Sequence, residues 1–270
     1  MILPHKQLGQ HFLTDENVAR KIVTILDAKK DDVVLEIGPG SGSLTRHLVE
    51  TGATVIAVEI DARAVEALHE RFGSRLSVIT GDFLEADLSR IAGRFGKKLR
   101  VVGNIPYYIT SDILFRLFEN HAHIDSALLM MQLEVAQRLI AQPHSKSYGI
   151  LTVATHFYSE PKLQFRVSHN SFHPKPRVDS AVVDLRFKET LPVCDRSMFH
   201  AILRSTFGQR RKILKNGLRS LGFSETQLSG APVDLGDRPE NLTVEQFVQL
   251  TRALERHRDA VLSPFLPASA

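Results

Sequence analysis

Short apolar runs alternate along the first two thirds of the chain with segments whose apolar positions recur at helical spacing. The apolar runs predict strands at 33–37, 54–59, 76–80, 99–102 and 127–131, with a late strand at 182–187. The other segments predict helices at 15–28, with Asp15 as N-cap, and at 44–51, 62–72, 111–119 and 133–140. This alternation is typical of an α/β fold, in which helices cover both faces of a parallel sheet.

The pattern changes after Lys188. Helical patterns continue there without strands, at 197–207, 209–218 and 243–257. We therefore predict two domains, an α/β domain at 1–188 and a small all-helical domain at 189–270. The segment 148–158 fits a strand or a helix, and the Pro-containing segment 172–177 cannot form a central strand.

The composition is that of an ordinary globular protein. Of the 270 residues 43% are hydrophobic and 24% are charged, and no apolar run is long enough to cross a membrane. The first residues show no apolar export segment. The single cysteine, Cys194, excludes internal disulfides and multi-cysteine zinc sites, and the 12 histidines show no metal-ligand spacing. We expect a cytoplasmic protein with no metal and no membrane partner.

A glycine-rich segment, 36–42, follows the first predicted strand and opens a helix. Its glycines would let the backbone approach a ligand at the carboxyl end of the sheet. Glu59 ends the second strand, where a carboxylate can bind both hydroxyls of a ribose, and Asp82 follows the third, where it can accept from an adenine amino group. A plain tight turn and two helix N-caps are the alternative interpretation.

The segment 104–108, Asn-Ile-Pro-Tyr-Tyr, follows the strand at 99–102 and suits chemistry on a nucleobase amine. An adenine amine is a poor nucleophile because its lone pair is delocalised into the ring. The Asn104 oxygen and a backbone carbonyl beside Pro106 can accept its two hydrogens and turn the lone pair towards an electrophile. Tyr107 can stack on the flipped base. An ordinary strand-to-helix turn is the alternative.

A ligand that carries a ribose and an adenine, next to a site for a base amine, indicates S-adenosylmethionine. Its sulfonium methyl group is already activated, so the enzyme's main task is to align nitrogen, methyl and sulfur.

Basic residues are concentrated in one part of a chain whose net charge is only +4. Six lie between Arg204 and Arg219, with no acidic residue among them. On the helix predicted at 209–218 most of them would share one face, although a solvated charged face is the alternative. We predict contacts with RNA phosphates from Arg210, Arg211, Lys212, Lys215 and Arg219.

Several of these motifs together resemble the KsgA-type rRNA adenine dimethyltransferases over nearly the whole chain. In the first domain the similar segments are 7–13, 36–45, 104–107 and 172–180. In the second domain, 207–212 and 238–242 resemble the housekeeping branch of that family rather than the Erm resistance methylases.

The resemblance implies a Rossmann-like, seven-stranded methyltransferase domain and a helical domain that touches rRNA. It implies that S-adenosylmethionine is contacted by His11, Leu13, Gly38, Glu59, Asp82 and Asn104. It also implies that Asn104 and the Pro106 carbonyl hold the target amine, that Tyr107 stacks on the base, and that Phe172 packs near the transferred methyl or the other face of the base. A simple core position is the alternative for Phe172.

The implied activity is dimethylation of two adjacent adenosines in the hairpin loop near the 3′ end of 16S rRNA, by a monomer acting on an assembling 30S particle. His11 stands where the family often has Asn, and Asp112 is more typical of Erm sequences. The alternatives are an Erm-like methylase of large-subunit rRNA and a non-catalytic RNA-binding factor for assembly or transcription.

Overall fold

The computed structural model describes residues 10–209 and 211–257. Two compact units divide the chain. The first runs up to Ile140 and includes Tyr158–Glu189, and the second contains Ala141–Phe157 and the chain from Thr190 onward. The segment 141–157, which the sequence assigned to the first domain, has its partners in the second unit. Tyr148 donates to the Leu242 carbonyl (2.7 Å), and Phe157 stacks on Phe199 with ring centroids 4.3 Å apart.

Strands and helices are numbered here in chain order. The strands are β1 (Phe12–Leu13), β2 (Val33–Ile37), β3 (Thr54–Glu59), β4 (Ser77–Thr80), β5 (Leu99–Asn104), β6 (Ile124–Gln132), β7 (Ser159–Val167), β8 (Phe172–His173) and β9 (Ser180–Phe187). The helices are α1 (Glu16–Leu26), α2 (Thr45–Leu48), α3 (Ala62–Phe72), α4 (Leu88–Phe95), α5 (Thr110–Glu119), α6 (Leu133–Leu139), α7 (Ile150–Tyr158), α8 (Arg196–Gly208), α9 (Leu214–Ser220), α10 (Glu225–Leu228) and α11 (Val244–Leu254).

Within the described residues the first unit holds a seven-stranded sheet in the order β4-β3-β2-β5-β6-β9-β7. The pairs among β2 to β6 are parallel, and β9 runs antiparallel between β6 and β7. This confirms the predicted α/β fold with a seven-stranded sheet. Because β2 lies between β3 and β5, the connections diverge at its carboxyl end, which is where open α/β sheets bind ligands.

The central strands are apolar because they are covered on both faces. All five residues of β2 are buried, as are five of the six in β3. β2 and β5 come unusually close where Ile37 pairs with Gly103. An added Cβ at Gly103 would lie 2.9 Å from the Ile37 carbonyl oxygen, so only glycine fits there without movement of the backbone. This close approach fixes the position of Asn104, the next residue.

Helix α4 and strand β7 of the first unit are absent from the predictions, as are the two-residue strands β1 and β8. Helix α4 is short and begins at the N-cap Asp87, and β7 is an edge strand that contains Pro161. The predicted helix at 44–51 is limited to α2, and the ambiguous segment 148–158 contains α7. Outside the sheet, β1 pairs with β8, so the Pro-containing segment forms no central strand.

The regular structure of the second unit, as far as it is described, is helical. Helices α8 and α9 touch closely, since a Cβ at Gly217 would lie 2.7 Å from the Cα of Thr206. The helix predicted at 209–218 is wrong in its first half, because Leu214 is the first residue of α9. No helix among the described residues is long and apolar enough to span a membrane.

We expect Gly103→Ala to lower the free energy of unfolding by about 1–3 kcal/mol, because the added methyl group meets backbone that can move only with the strand. Chemical denaturation followed by circular dichroism would measure it. Gly93→Ala in α4 is the matched control, since its Cβ would meet no atom within 4 Å and alanine favours a helix. Equal stability of the Gly103→Ala variant and the wild type would contradict the strand packing.

Candidate functional site

A cavity of about 200 Å³ opens at the carboxyl ends of the central strands, within the first unit. Backbone, acidic and aromatic groups from the segments after β2, β3, β4 and β5 surround it. Its lining comprises Gln10, His11, Phe12, Ile37, Gly38, Gly40, Val58, Glu59, Ile60, Gly81, Asp82, Phe83, Asn104, Ile105, Pro106, Tyr107, Tyr108, Ile109 and Ile113.

The glycine-rich loop borders this cavity through Gly38 and Gly40. Both have positive φ angles, of 58° and 53°, which other residues rarely adopt. A Cβ at Gly40 would also lie 2.7 Å from the ring of Phe12, whereas a Cβ at Gly38 would meet nothing within 4 Å. Gly38 therefore faces open space that a ligand can approach, and Gly40 is required for packing of the loop.

Glu59 is one of the two acidic residues that line the cavity. Its side chain is buried, and its two oxygens accept from the backbone N–H groups of Gly40 and Asp61, each at 2.9 Å. A carboxylate has about four acceptor positions, so two remain. The remaining positions can accept from the two hydroxyls of a ribose, as the sequence predicts.

Glu36, at the start of the glycine-rich segment, lies in β2 and does not line the cavity. It is 1% exposed and accepts from the Thr45 hydroxyl at 2.7 Å. Burial raises its pKa to about 8, and the nearby Glu59 charge adds to this rise, while the Thr45 hydrogen bond opposes it. Glu36 is therefore mostly protonated at neutral pH.

Asp82 also lines the cavity, and it has two functions in the structure. One of its oxygens accepts from the Leu84 N–H at 2.9 Å, which matches the capping alternative. The other has no partner among the described residues and can accept from an amino group. Ile60, which is 53% exposed, and Phe83 add apolar surface beside it, and no sequence pattern distinguishes these two residues as site residues.

Asn104 is held in a definite orientation at the end of β5. Its amide nitrogen donates to the His11 carbonyl at 2.8 Å, and its oxygen has no partner among the described residues. An amide side chain that donates through its nitrogen on one side presents its oxygen on the other. Asn104 therefore offers a fixed acceptor to the cavity, as an amine-binding group must.

The Pro106 carbonyl is not available to hold the target amine, which is the role predicted for it. It already accepts from the Thr110 hydroxyl at 3.1 Å and from the Ile109 N–H at 3.4 Å, so both of its lone pairs are engaged. The Ile105 N–H donates to the Met130 carbonyl at 3.1 Å. The Ile105 carbonyl accepts no hydrogen bond from the described residues. The available carbonyl is therefore one residue earlier than predicted.

Tyr107 is anchored from two sides. Its hydroxyl lies 2.7 Å from the Ser180 hydroxyl, and its ring stacks on the His11 ring with centroids 5.6 Å apart. His11 itself donates through Nδ1 to the Pro174 carbonyl at 2.7 Å. Burial raises the pKa of Tyr107, and the hydroxyl stays protonated. One face of the ring is thus covered by His11.

Leu13 and Phe172 do not line the cavity, although both are predicted site residues. They pair with each other across β1 and β8 and are 4% and 2% exposed, within the hydrophobic core. The Leu13 carbonyl accepts from Ser43 at 2.6 Å, next to the glycine-rich loop. Their observed contribution is to hold β1, which His11 immediately precedes, against that loop.

Four of the five predicted RNA-binding residues are described, all in the second unit, and these four do not form one helical stripe. Arg211 and Lys212 are exposed and precede α9, whereas Lys215 and Arg219 lie on α9. Glu225 pairs with both of the latter, through Lys215 Nζ at 2.6 Å and Arg219 Nε at 2.5 Å. Arg210 lies outside the described residues.

Comparison with known proteins decides what this site belongs to. The family model described as "Ribosomal RNA adenine dimethylase" matches residues 2–256. The chain belongs to the ribosomal RNA adenine dimethylase family. It is 44% identical over 264 residues to ribosomal RNA small subunit methyltransferase A of Chlorobium phaeobacteroides (98% of this chain, 95% of the relative). The corresponding protein of Moorella thermoacetica is 39% identical (94% and 93%).

Solved structures agree with the family assignment. A dimethyladenosine transferase from Plasmodium falciparum superposes with a TM-score of 0.77 at 27% identity, covering 93% of this chain and 99% of that one. The 23S rRNA methyltransferase ErmE superposes with a TM-score of 0.66 at 28% identity, covering 90% and 99%.

This member of the ribosomal RNA adenine dimethylase family is thus an S-adenosylmethionine-dependent rRNA adenine dimethyltransferase. The cavity fits that cofactor, because Gly38 borders open space, Glu59 has acceptor positions left for a ribose, and Asp82 has an oxygen left for an amino group. The bound cofactor supplies the methyl group on a positively charged sulfur.

We expect stability to fall as pH rises from about 5 to about 8, because the folded protein binds a proton at Glu36 that the unfolded chain has released. The pKa of this group is raised on folding, so its neutral form is the one that burial favours. Glu36→Gln keeps the shape and removes the titration, and thermal unfolding of that variant should lose a few kcal/mol of pH dependence. The same slope in both proteins would contradict a protonated Glu36.

Proposed function

We propose that this enzyme dimethylates two adjacent adenosines in the hairpin loop near the 3′ end of 16S rRNA. It acts as a monomer on an assembling 30S particle, in the cytoplasm. The observation that carries the proposal is the fixed Asn104 oxygen in the cofactor cavity of a chain whose close relatives are named small-subunit methyltransferases.

Cofactor binding begins with the acidic groups at the strand ends. Glu59 accepts from the ribose hydroxyls, Asp82 accepts from the adenine amino group, and Gly38 lets the backbone approach. His11, just before β1, and Leu13, within it, complete the cofactor side of the site, with Leu13 acting through its contact with Ser43.

The target amine is held by two oxygens that accept its hydrogens. The first is the Asn104 side-chain oxygen, whose direction is fixed by the bond from its amide nitrogen to His11. The second is the Ile105 carbonyl, since the Pro106 carbonyl is engaged with Thr110 and Ile109. Both interactions strengthen as positive charge develops on the nitrogen, so they favour the transition state over the bound substrate.

Tyr107 supports the flipped base through the ring face that His11 does not cover. Pro106 shapes the turn that brings Tyr107 under the base, with φ −60° and ψ 135°. Phe172 contributes from the core by supporting β1 through its pairing with Leu13, and we assign it no direct contact with the base.

We assign the contacts with RNA phosphates to the second unit. Arg211 and Lys212 have exposed side chains, and they are the strongest candidates there. Lys215 and Arg219 can contribute only if a phosphate replaces Glu225, and Arg210 is proposed on its sequence alone.

The Erm-like alternative rests on Asp112, and the structure offers a local reason for that residue. Asp112 lies in the first turn of α5, where a carboxylate is favourable because of the exposed N–H groups of the helix. An aspartate at this position therefore needs no different RNA substrate to explain it.

The test is methyl transfer from labelled S-adenosylmethionine to immature small subunits and, in parallel, to large-subunit rRNA. We expect dimethyladenosine in small-subunit RNA only, and we expect Asn104→Ala to reduce the rate by about 100-fold or more because the amine loses a fixed acceptor. Asn17→Ala, an exposed asparagine on α1, is the matched control.

Label in large-subunit RNA would favour the Erm-like substrate. Binding of small subunits without methyl transfer would favour the non-catalytic assembly factor. Wild-type rates with Asn104→Ala would show that another group orients the amine.

We expect Arg211→Glu combined with Lys212→Glu to weaken binding to immature small subunits and to flatten its dependence on salt. Each lost phosphate contact lowers the slope of log K against log salt by about 0.7. Filter binding at several salt concentrations would measure this slope. Arg90→Glu with Arg94→Glu on α4 changes the net charge equally at exposed positions and serves as control. An unchanged slope would place the RNA contact elsewhere.

A further inference from the structure

Tyr108 stands out among the large apolar side chains that the structure exposes to solvent. Among the described residues these are Ile60, Ile79, Tyr108, Val178, Val193 and Ile213, and Tyr108 is the only aromatic member. It is 61% exposed and lines the same cavity as Asn104. Its hydroxyl has no hydrogen-bond partner among the described residues.

The two consecutive tyrosines are placed differently, although they share one short helical turn, Tyr107–Ile109. Residues in a 3₁₀ turn point about 120° apart around its axis, so neighbouring side chains diverge. Tyr107 turns inward to Ser180 and His11, whereas Tyr108 turns outward at the rim. Of the two tyrosines only Tyr108 is an exposed residue.

The backbone beneath Tyr108 is held firmly. The Thr110 hydroxyl lies 3.1 Å from the Pro106 carbonyl and 3.3 Å from the Tyr107 carbonyl, and the Ile109 N–H also donates to Pro106. A ring presented on a fixed turn at the edge of a nucleobase pocket is suited to stacking, because little backbone order is lost when a base covers it.

We propose that Tyr108 stacks on the base next to the target adenine and thereby positions the RNA strand at the cavity. Single-stranded RNA is recognised through splayed bases that stack on aromatic rings, and two diverging rings can take two consecutive bases. This inference rests on the proposed function, under which the neighbouring base is the second adenosine to be methylated. Tyr108 then contacts the RNA and does not contact the cofactor.

The test compares Tyr108→Ala and Tyr108→Phe in the full-length enzyme, with immature small subunits as substrate. We expect Tyr108→Ala to raise the KM for the particles about tenfold and Tyr108→Phe to retain the wild-type value, since the ring carries the contact. The Kd for S-adenosylmethionine, measured by calorimetry without RNA, should be unchanged in both. Ile79→Ala removes another exposed apolar side chain of the same unit, outside the cavity lining, and serves as control.

A wild-type KM for Tyr108→Ala would overturn the proposal. A weaker cofactor affinity in that variant would also overturn it, because the ring would then belong to the cofactor site. Absence of dimethyladenosine with the wild-type enzyme would be a failure of the proposed function itself and is distinguishable from both results.

Discussion

The carboxylate of Glu59 connects the ends of two strands through backbone N–H groups. It accepts from Gly40 in the glycine-rich loop and from Asp61, which begins the next helix as its N-cap. A buried carboxylate costs free energy unless it is hydrogen-bonded, and these two bonds offset that cost while fixing the loop. The Glu59 side chain thus supports the glycine-rich loop and also lines the cavity that this loop borders. Asp61, whose pKa Arg63 lowers to about 2, remains charged beside it.

The first unit was largely predictable because its central strands are buried on both faces. Such strands are continuous apolar runs, and the helix between Asp61 and Gly73 begins and ends at residues that suit a cap. β7 was not predictable, because its exposed edge brings polar residues and Pro161 into the strand. The predicted basic stripe is wrong because α9 begins only at Leu214, after Arg211 and Lys212. The acid that pairs with Lys215 and Arg219 lies at Glu225, beyond the window in which only basic residues occur.

The site, too, has features that the sequence predicts and features that it does not. Residues that end strands, such as Glu59, Asp82 and Asn104, could be identified locally because parallel strands bring their carboxyl ends to one edge. The orientation of Asn104 could not, since it depends on the carbonyl of His11, 93 residues away. Which carbonyl beside Pro106 is available also depends on Thr110, whose hydroxyl turns back onto the loop. Contacts between distant segments leave no periodic signal in the sequence.

The pairing of Lys215 and Arg219 with Glu225 means that the protein supplies its own counter-ion at this part of the second unit. A phosphate that binds there exchanges one anion for another and releases no dissolved ion from the protein side. Lys215, Arg219 and Glu225 together carry one net positive charge, so they neutralise less phosphate charge and release fewer cations from the RNA than two unpaired basic residues would. Phosphate binding at Arg211 and Lys212 should therefore depend more strongly on ionic strength than phosphate binding at Lys215 and Arg219.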